Sequence, residues 1–268
     1  MSTTQVERRA HDRAGWRAVA MPSEHGGWGL TLEPVLLGLL VAWSAAGAAL
    51  GVAAFTAFLV RTPAKLVVVD VRRKRWLARS QLALEIASIE LIVLAVAVTA
   101  AIVLAGWSWF VPVAVTAPLV AVEMSFEIRS RARKLVPELC GAIAVAAVAA
   151  SIVLASGRSA GLAAGVWLIL AARAAGAIPF VRVQILRLRR GAGPVWQSDL
   201  AQCCAIGLAV GAVIADRRLF PGFVGIVLLA SAQSVWVRRA PMPAKQIGLR
   251  QMAIGLVLVA VTVAGVLW

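Results

Sequence analysis

The sequence predicts an all-α, polytopic membrane protein with about nine transmembrane helices. The first reason is composition: 61% of the 268 residues are hydrophobic and the mean hydropathy is +0.88, whereas soluble domains contain about 45–50% apolar residues. The second reason is the distribution of charge. Charged residues make up only 15% of the chain, and they lie in clusters between long apolar runs. A chain with this pattern needs lipid as its solvent.

Long apolar runs mark the expected spans, because a helix needs about 20 apolar residues to cross a bilayer. Short connections join most of the runs. This favours a single transmembrane helical domain over residues 22–268, preceded by a basic, cytoplasmic N-terminal segment over residues 1–21. The predicted spans are residues 24–44, 48–70, 82–105, 107–126, 136–156, 160–184, 200–215, 219–236 and 249–268.

The uncharged stretch 34–60 has two interpretations, one long tilted helix or a hairpin that turns at residues 44–47. The basic residues decide between them. With the hairpin, 23 of the 27 lysines and arginines fall on one side of the membrane, as the positive-inside rule requires. We therefore predict a hairpin, in a multi-pass membrane protein with its N-terminus in and its C-terminus out.

The net charge of +15 has the same explanation. In a soluble protein such an excess would indicate nucleic acid, but here the basic residues flank the apolar runs, so the expected partner is the lipid bilayer and no nucleic acid is expected. The sequence indicates no particular protein partner.

Several ionisable side chains fall inside the predicted spans, where they are costly and are functional candidates. Arg61 and Lys65 share a face of the second helix. Arg173 lies near the middle of the sixth helix, too deep to reach either membrane surface easily. Glu33 is comparably deep and is its expected counter-charge, because a carboxylate offsets the cost of burying a guanidinium. The candidate ligand-binding residues are Arg61, Lys65, Asp70, Arg173, Arg182 and Gln184.

Two interpretations of these charges remain open. In the first, cations near helix ends, such as Lys65 and Arg182, extend to the membrane surface and pair there with acids. In the second, the deeper Glu33, Arg61 and Arg173 form an internal network around a cavity that opens to the cytoplasm. We favour the second for the three deeper residues, and expect Arg61, Lys65 and Arg173 to hold an anion together.

His25 lies at the start of the first span, in the sequence EHGGWG at residues 24–29. An imidazole at this position is a potential acid or base, so His25 and Glu33 are the candidate catalytic residues. The membrane region contains no second histidine, and the three cysteines lack metal-site spacing. We therefore predict no metal site and no cofactor.

Three motifs rich in glycine, proline and charge stand out from the apolar background. They are PSEHGGWG at residues 22–29 with Glu33 and Pro34 after it, FLVRTPAK at residues 58–65 with DVRR at 70–73, and Arg173 with PFVR at 179–182. Together they resemble the signatures of the YwiC-like family of bacterial membrane proteins. This resemblance implies a multispanning protein of the bacterial cytoplasmic membrane and does not by itself imply an activity.

A second, more distant resemblance is to the UbiA prenyltransferase superfamily. The stretch KLVPELCGA at residues 134–142 is similar to the start of the fifth helix of those enzymes, and PVLLG at 34–38 is similar to their first helix. The resemblance implies nine helices in a UbiA-like bundle with a polar cavity on the cytoplasmic side. Those enzymes hold magnesium and a prenyl diphosphate with Asp-rich motifs on helices 2 and 6. Here these helices carry mainly cations and one carboxylate, Asp70, and cations bind phosphate or carboxylate directly.

The sequence leaves three functions open. The favoured one is binding of an anionic amphiphile, a lipid or an isoprenoid or quinone precursor, in a cytoplasm-facing cavity, as a divergent UbiA-like transferase that lacks the Asp-rich motifs. The alternatives are a small-anion transporter and a membrane accessory protein without chemistry. The sequence does not decide whether the protein is an enzyme.

Overall fold

The fold is all-helical in the part of the chain that the computed structural model describes, which comprises residue 16 and residues 19–21, 25–128 and 134–268. From residue 25 onward this part contains nine α-helices, a single turn of 3₁₀ helix and no strand. The helices are α1 His25–Val41, α2 Ala45–Arg72, α3 Ala78–Ala105, α4 Phe110–Ile128, α5 Leu135–Ala155, α6 Ala160–Arg190, α7 Val195–Ala215, α8 Phe220–Trp236 and α9 Ala244–Leu267, with the 3₁₀ turn at Arg217–Leu219 between α7 and α8.

Eight of these helices, α2 to α9, are long and apolar enough to cross a membrane, where α8 is counted together with the 3₁₀ turn before it as one 20-residue span, Arg217–Trp236. The exception is α1, whose 17 residues extend about 25 Å, against a hydrocarbon core of about 30 Å. The predicted class, an all-α polytopic membrane protein, is confirmed. The first predicted span, 24–44, corresponds to this shorter helix.

The chain turns between α1 and α2, as the hairpin interpretation predicts. Ser44 caps the start of α2, where its hydroxyl oxygen accepts a hydrogen bond from the Gly47 N–H at 2.9 Å. The two helices then pack closely: a Cβ placed on Gly51 would lie 2.9 Å from a methyl carbon of Val35. The uncharged stretch 34–60 is therefore two helices, and not one tilted helix.

The core lies around α5 and α6. Within the 18-residue apolar stretch of each helix, 61% of α5 and 67% of α6 is buried inside the protein, compared with 11% of α4. Small residues of α5, including Ala146, Ala149 and Ala150, pack against Leu162 and Val166 of α6. Small side chains allow helices to approach closely in a membrane, where van der Waals packing drives association. The helices α2, α3 and α4 lie at the periphery and expose most of their apolar surface to lipid.

The two ends of the bundle differ in charge. We call the basic end the one at which α1, α3, α5, α7 and α9 begin. Among the described residues it carries clusters of lysine and arginine near residues 72–79, 187–190 and 238–250. The connections at the opposite end contain three arginines, and one of these, Arg218, donates a hydrogen bond to Asp216 at 2.7 Å. This hydrogen bond lowers the pKa of the Asp216 carboxyl.

The contact between α6 and α7 depends on glycine. A Cβ on Gly161 would lie 2.6 Å from the backbone oxygen of Ala215, and backbone cannot move aside as a flexible side chain can. We expect Gly161→Ala to lower the free energy of unfolding by about 1–2 kcal/mol because it overpacks this contact. Thermal unfolding of the purified protein in detergent measures the change.

The matched control is Gly207→Ala on α7, because Gly207 faces open space. Alanine also favours helix over glycine by up to about 1 kcal/mol, so this variant should be as stable as the parent or more stable. Equal losses in the two variants would show that the α6–α7 contact does not need a glycine at position 161.

Candidate functional site

A cavity of about 630 Å³ opens at the basic end, between the N-terminal halves of α1, α5, α7 and α9 and the C-terminal half of α6. Its walls are largely apolar and include Leu30, Ile178, Val181, Leu186 and Met252. This volume is typical of pockets that take small organic ligands. Five charged side chains interrupt the apolar surface at two depths.

The deepest part, which we call the floor, contains Glu33 and Arg173. A guanidinium nitrogen of Arg173 lies 3.7 Å from a carboxylate oxygen of Glu33, and each side chain is 6% exposed. The same nitrogen donates a 2.7 Å hydrogen bond to the backbone oxygen of Gln251. The structure thus brings together the two deepest charges, as the sequence indicated, while their roles in binding or chemistry stay predictions.

The shape of α9 allows the Glu33 carboxylate to lie at the floor. A Cβ on Gly255 would collide with a carboxylate oxygen of Glu33. Any larger residue at this position would therefore displace the carboxylate from the α1–α9 contact. The absence of a side chain at position 255 thus makes room for the carboxylate of this pair.

The outer part of the cavity, which we call the rim, contains Arg182, Glu138 and Arg189. Arg182 donates a 2.8 Å hydrogen bond to Glu138, and both side chains are more than a third exposed. Arg189 is exposed. The nine residues from Arg173 to Arg182 extend about 14 Å along α6, so an apolar zone separates the floor from the rim. In total, the lining carries three arginines and two glutamates, a net charge of +1.

Arg61 and Lys65 lie elsewhere, against α4. Arg61 donates hydrogen bonds to Glu123 at 2.9 Å and to Glu127 at 3.1 Å, and Lys65 donates to Glu127 at 3.2 Å. The expected grouping of Arg61 and Lys65 with Arg173 is thus corrected. The reason is that Glu123 and Glu127, one turn apart on α4, offer two carboxylates to the cationic face of α2.

Asp70 and Gln184 also have partners outside the cavity. Asp70 accepts a 2.7 Å hydrogen bond from the Ser80 hydroxyl and one at 3.3 Å from Arg79, which together link the end of α2 to the start of α3. The Gln184 amide donates to the backbone oxygen of Trp236 at 2.8 Å, at the end of α8. Neither residue lines the cavity. The remaining candidate, His25, begins α1, and its side chain lies outside the described residues.

Three buried glutamines, of which only Gln251 lines the cavity, have no counterpart in the sequence predictions. Gln202 of α7, Gln233 of α8 and Gln251 of α9 are all less than 9% exposed. The Gln202 amide nitrogen donates to the Gly176 backbone oxygen and to Gln233, both at 3.0 Å, and the Gln233 nitrogen donates to Gln251 at 3.4 Å. Their signal in the sequence is a lone amide within each of three apolar runs, which in a membrane needs a partner. We call this set the amide chain.

Fold and site together define a multi-pass α-helical membrane protein with a buried arginine–glutamate pair at the floor of a cavity. The family model described as YwiC-like protein matches residues 21–153. Over these residues, which comprise α1 to α4 and nearly all of α5, the chain is similar to the YwiC-like family. The match includes Glu33 and Glu138 of the cavity and ends before α6. No curated protein and no solved structure gives a significant match.

Proposed function

We propose that the protein binds an anionic amphiphile, a lipid or an isoprenoid or quinone precursor, in the cavity at its basic end. The observation that carries the proposal is the composition of the lining: apolar walls, a net positive charge, and Arg173 buried at the floor. Apolar walls accept a hydrocarbon chain through the hydrophobic effect. Arginine stays charged at any physiological pH and forms strong hydrogen bonds with carboxylate and phosphate.

The arrangement of the carboxylates favours direct contact of arginine with the anionic group. The two carboxylates of the lining, Glu33 and Glu138, each lie against an arginine. A magnesium ion needs several anionic oxygen ligands, and these two carboxylates are already neutralised at different depths. Binding of a diphosphate or carboxylate here would therefore depend on the guanidinium groups. Transfer chemistry of the UbiA type is implied only by the distant resemblance, and it would require that the ligand first binds in this cavity.

Native mass spectrometry of the purified protein tests the proposal. We expect the parent protein to retain an anionic lipid or isoprenoid, and the double variant Glu33→Gln/Arg173→Gln, which keeps the floor neutral, to lose it. The matched control is Arg61→Gln, since Arg61 belongs to an ion-pair network outside the cavity. A parent protein that carries no such molecule, or equal retention in both variants, would overturn the proposal.

The basic end is proposed to face the cytoplasm, which follows from the excess of lysine and arginine on this side. Reporter fusions are expected to place the N-terminus inside and a fusion after Trp268 outside. The control is a fusion in the connection after Arg190, which belongs to the basic end and should report from the cytoplasm. Two termini on the same side would contradict this topology.

A further inference from the structure

The amide chain has a direction that its hydrogen bonds fix. A backbone carbonyl oxygen only accepts hydrogen bonds, so the group of Gln202 that faces the Gly176 oxygen at 3.0 Å must be its NH₂. The second hydrogen of this NH₂ points to Gln233, which must then present its oxygen, as the 3.0 Å distance indicates. The orientation of an amide is thus settled here by the network around it.

The same reasoning extends to the cavity. With its oxygen turned to Gln202, Gln233 presents its NH₂ to Gln251, whose side-chain oxygen accepts at 3.4 Å. The NH₂ of Gln251 is then left as the free end of the chain. It has no acceptor among the described residues, and neither has Nε of Arg173. Both residues line the cavity, with 8% and 6% of their surfaces exposed.

The buried nitrogens of Gln251 and Arg173 raise the free energy of the folded protein as long as they have no acceptor. A buried donor that lacks a partner loses its hydrogen bond to water and gains nothing in return. Both nitrogens belong to residues that line the cavity, and the terminal torsion of glutamine is soft, so rotation about it can turn the Gln251 NH₂ towards a ligand. The group that suits these two donors is an oxyanion, which accepts through several oxygens.

We infer that Gln251 is a ligand-contacting residue that, together with Arg173, receives the oxygens of a carboxylate or phosphate head group. Gln233 and Gln202 are positioning residues, because they keep the NH₂ of Gln251, and not its oxygen, turned to the ligand. This inference rests on the proposed function, and it attributes the selectivity for an anionic head group to the uncharged amide chain. The orientation of all three amides in the amide chain follows from the Gly176 carbonyl, which can only accept a hydrogen bond.

Binding of defined single-chain probes tests the inference. The probes are dodecyl phosphate, dodecanoate and dodecylamine, added to the protein in phosphatidylcholine nanodiscs, with the Kd taken from the concentration dependence of thermal stabilisation. Comparing the first two separates a phosphate from a carboxylate ligand. We expect Gln251→Met to weaken binding of the preferred anion about 10-fold or more, since a hydrogen bond to a charged group is lost.

The positioning role gives a second expectation. Gln233→Met releases the amide of Gln251 to turn either way, and should weaken anion binding several-fold although Gln233 does not line the cavity. The matched control is Gln184→Met: this glutamine is also buried, but it belongs neither to the amide chain nor to the cavity lining. Its anion Kd should match that of the parent protein.

A charge-altering variant keeps the test independent of how well the methionine variants fold. Gln251→Glu replaces the donor by an acceptor of nearly the same shape, and should shift the preference from the anions towards dodecylamine. Anion binding by the parent with unchanged Kd values in Gln251→Met or Gln251→Glu would overturn the inference and leave the proposed function standing. Absence of anion binding by the parent would overturn both.

Discussion

Replacing Arg173 by glutamine is expected to lower the free energy of unfolding by about 3–5 kcal/mol. The substitution leaves the Glu33 carboxylate, 6% exposed, without its counter-charge, and it removes the hydrogen bond to the Gln251 backbone oxygen. An uncompensated buried charge is among the largest single destabilising effects known in proteins. Equilibrium unfolding of the purified protein in detergent, with denaturant as the variable, measures the loss.

The double variant Glu33→Gln/Arg173→Gln should recover much of this loss, because it removes both charges from the floor. The difference between the double variant and the sum of the single variants gives the coupling of the pair. Arg238→Gln is the control: this arginine also pairs with a carboxylate, that of Asp199, but at the exposed basic end, and its loss should change stability little. Full stability of Arg173→Gln alone would contradict the prediction.

The double variant also separates two roles of Arg173. If the arginine only fixes the packing of α1 and α6, the double variant, once its stability is restored, should retain the same anionic ligand as the parent protein. If it also binds an anion, the double variant should fold and still carry no anionic ligand. Stability and retained ligand, measured on the same sample, therefore distinguish packing from binding.

The number and approximate positions of the helices could be predicted from the sequence, because lipid imposes strong rules on the chain. Backbone groups within a bilayer must bond internally, so a long apolar run forms a helix, and the basic residues orient it. These rules also gave the hairpin between α1 and α2, where no charge marks a boundary, although they placed its turn at residues 44–47 and the structure places it at residues 42–44. They did not give the length of α1, which at 17 residues is shorter than the predicted span 24–44.

The site was only partly predictable. The position of a residue along its span indicates how deep it lies in the membrane, but the sequence does not show which helices are neighbours. Depth was enough to pair Glu33 with Arg173. It was not enough for Arg61, whose partners Glu123 and Glu127 lie on α4. Only the packing of α2 near α4, with Glu123 against Gly141 of α5, brings these groups within reach of one another.

The amide chain illustrates a second limit. Gln202, Gln233 and Gln251 carry no charge, so they are not among the ionisable groups that the sequence marks as candidates within the spans. Their direction depends on one backbone carbonyl, that of Gly176, and on contacts among α6, α7, α8 and α9. The network therefore depends on the packing of four helices, which the sequence alone does not give.

The glycine at position 255 is expected to be as important to the floor as the charges themselves. In Gly255→Ala the new methyl group would collide with the Glu33 carboxylate and would displace it from its position beside Arg173. We expect the free energy of unfolding to fall by about 2–3 kcal/mol because of this overpacking. The measurement is the same denaturant unfolding in detergent.

Two comparisons make this expectation specific. Gly248 lies two turns earlier on α9 and faces open space, so Gly248→Ala should leave stability unchanged or raise it through the better helix propensity of alanine. In the Glu33→Ala background the carboxylate is gone, and Gly255→Ala should then cost little beyond Glu33→Ala itself. A cost that is equally large with and without the Glu33 side chain would mean that the methyl group meets some other part of the bundle. Gly255 would then not be the residue that holds the Glu33 carboxylate at the floor.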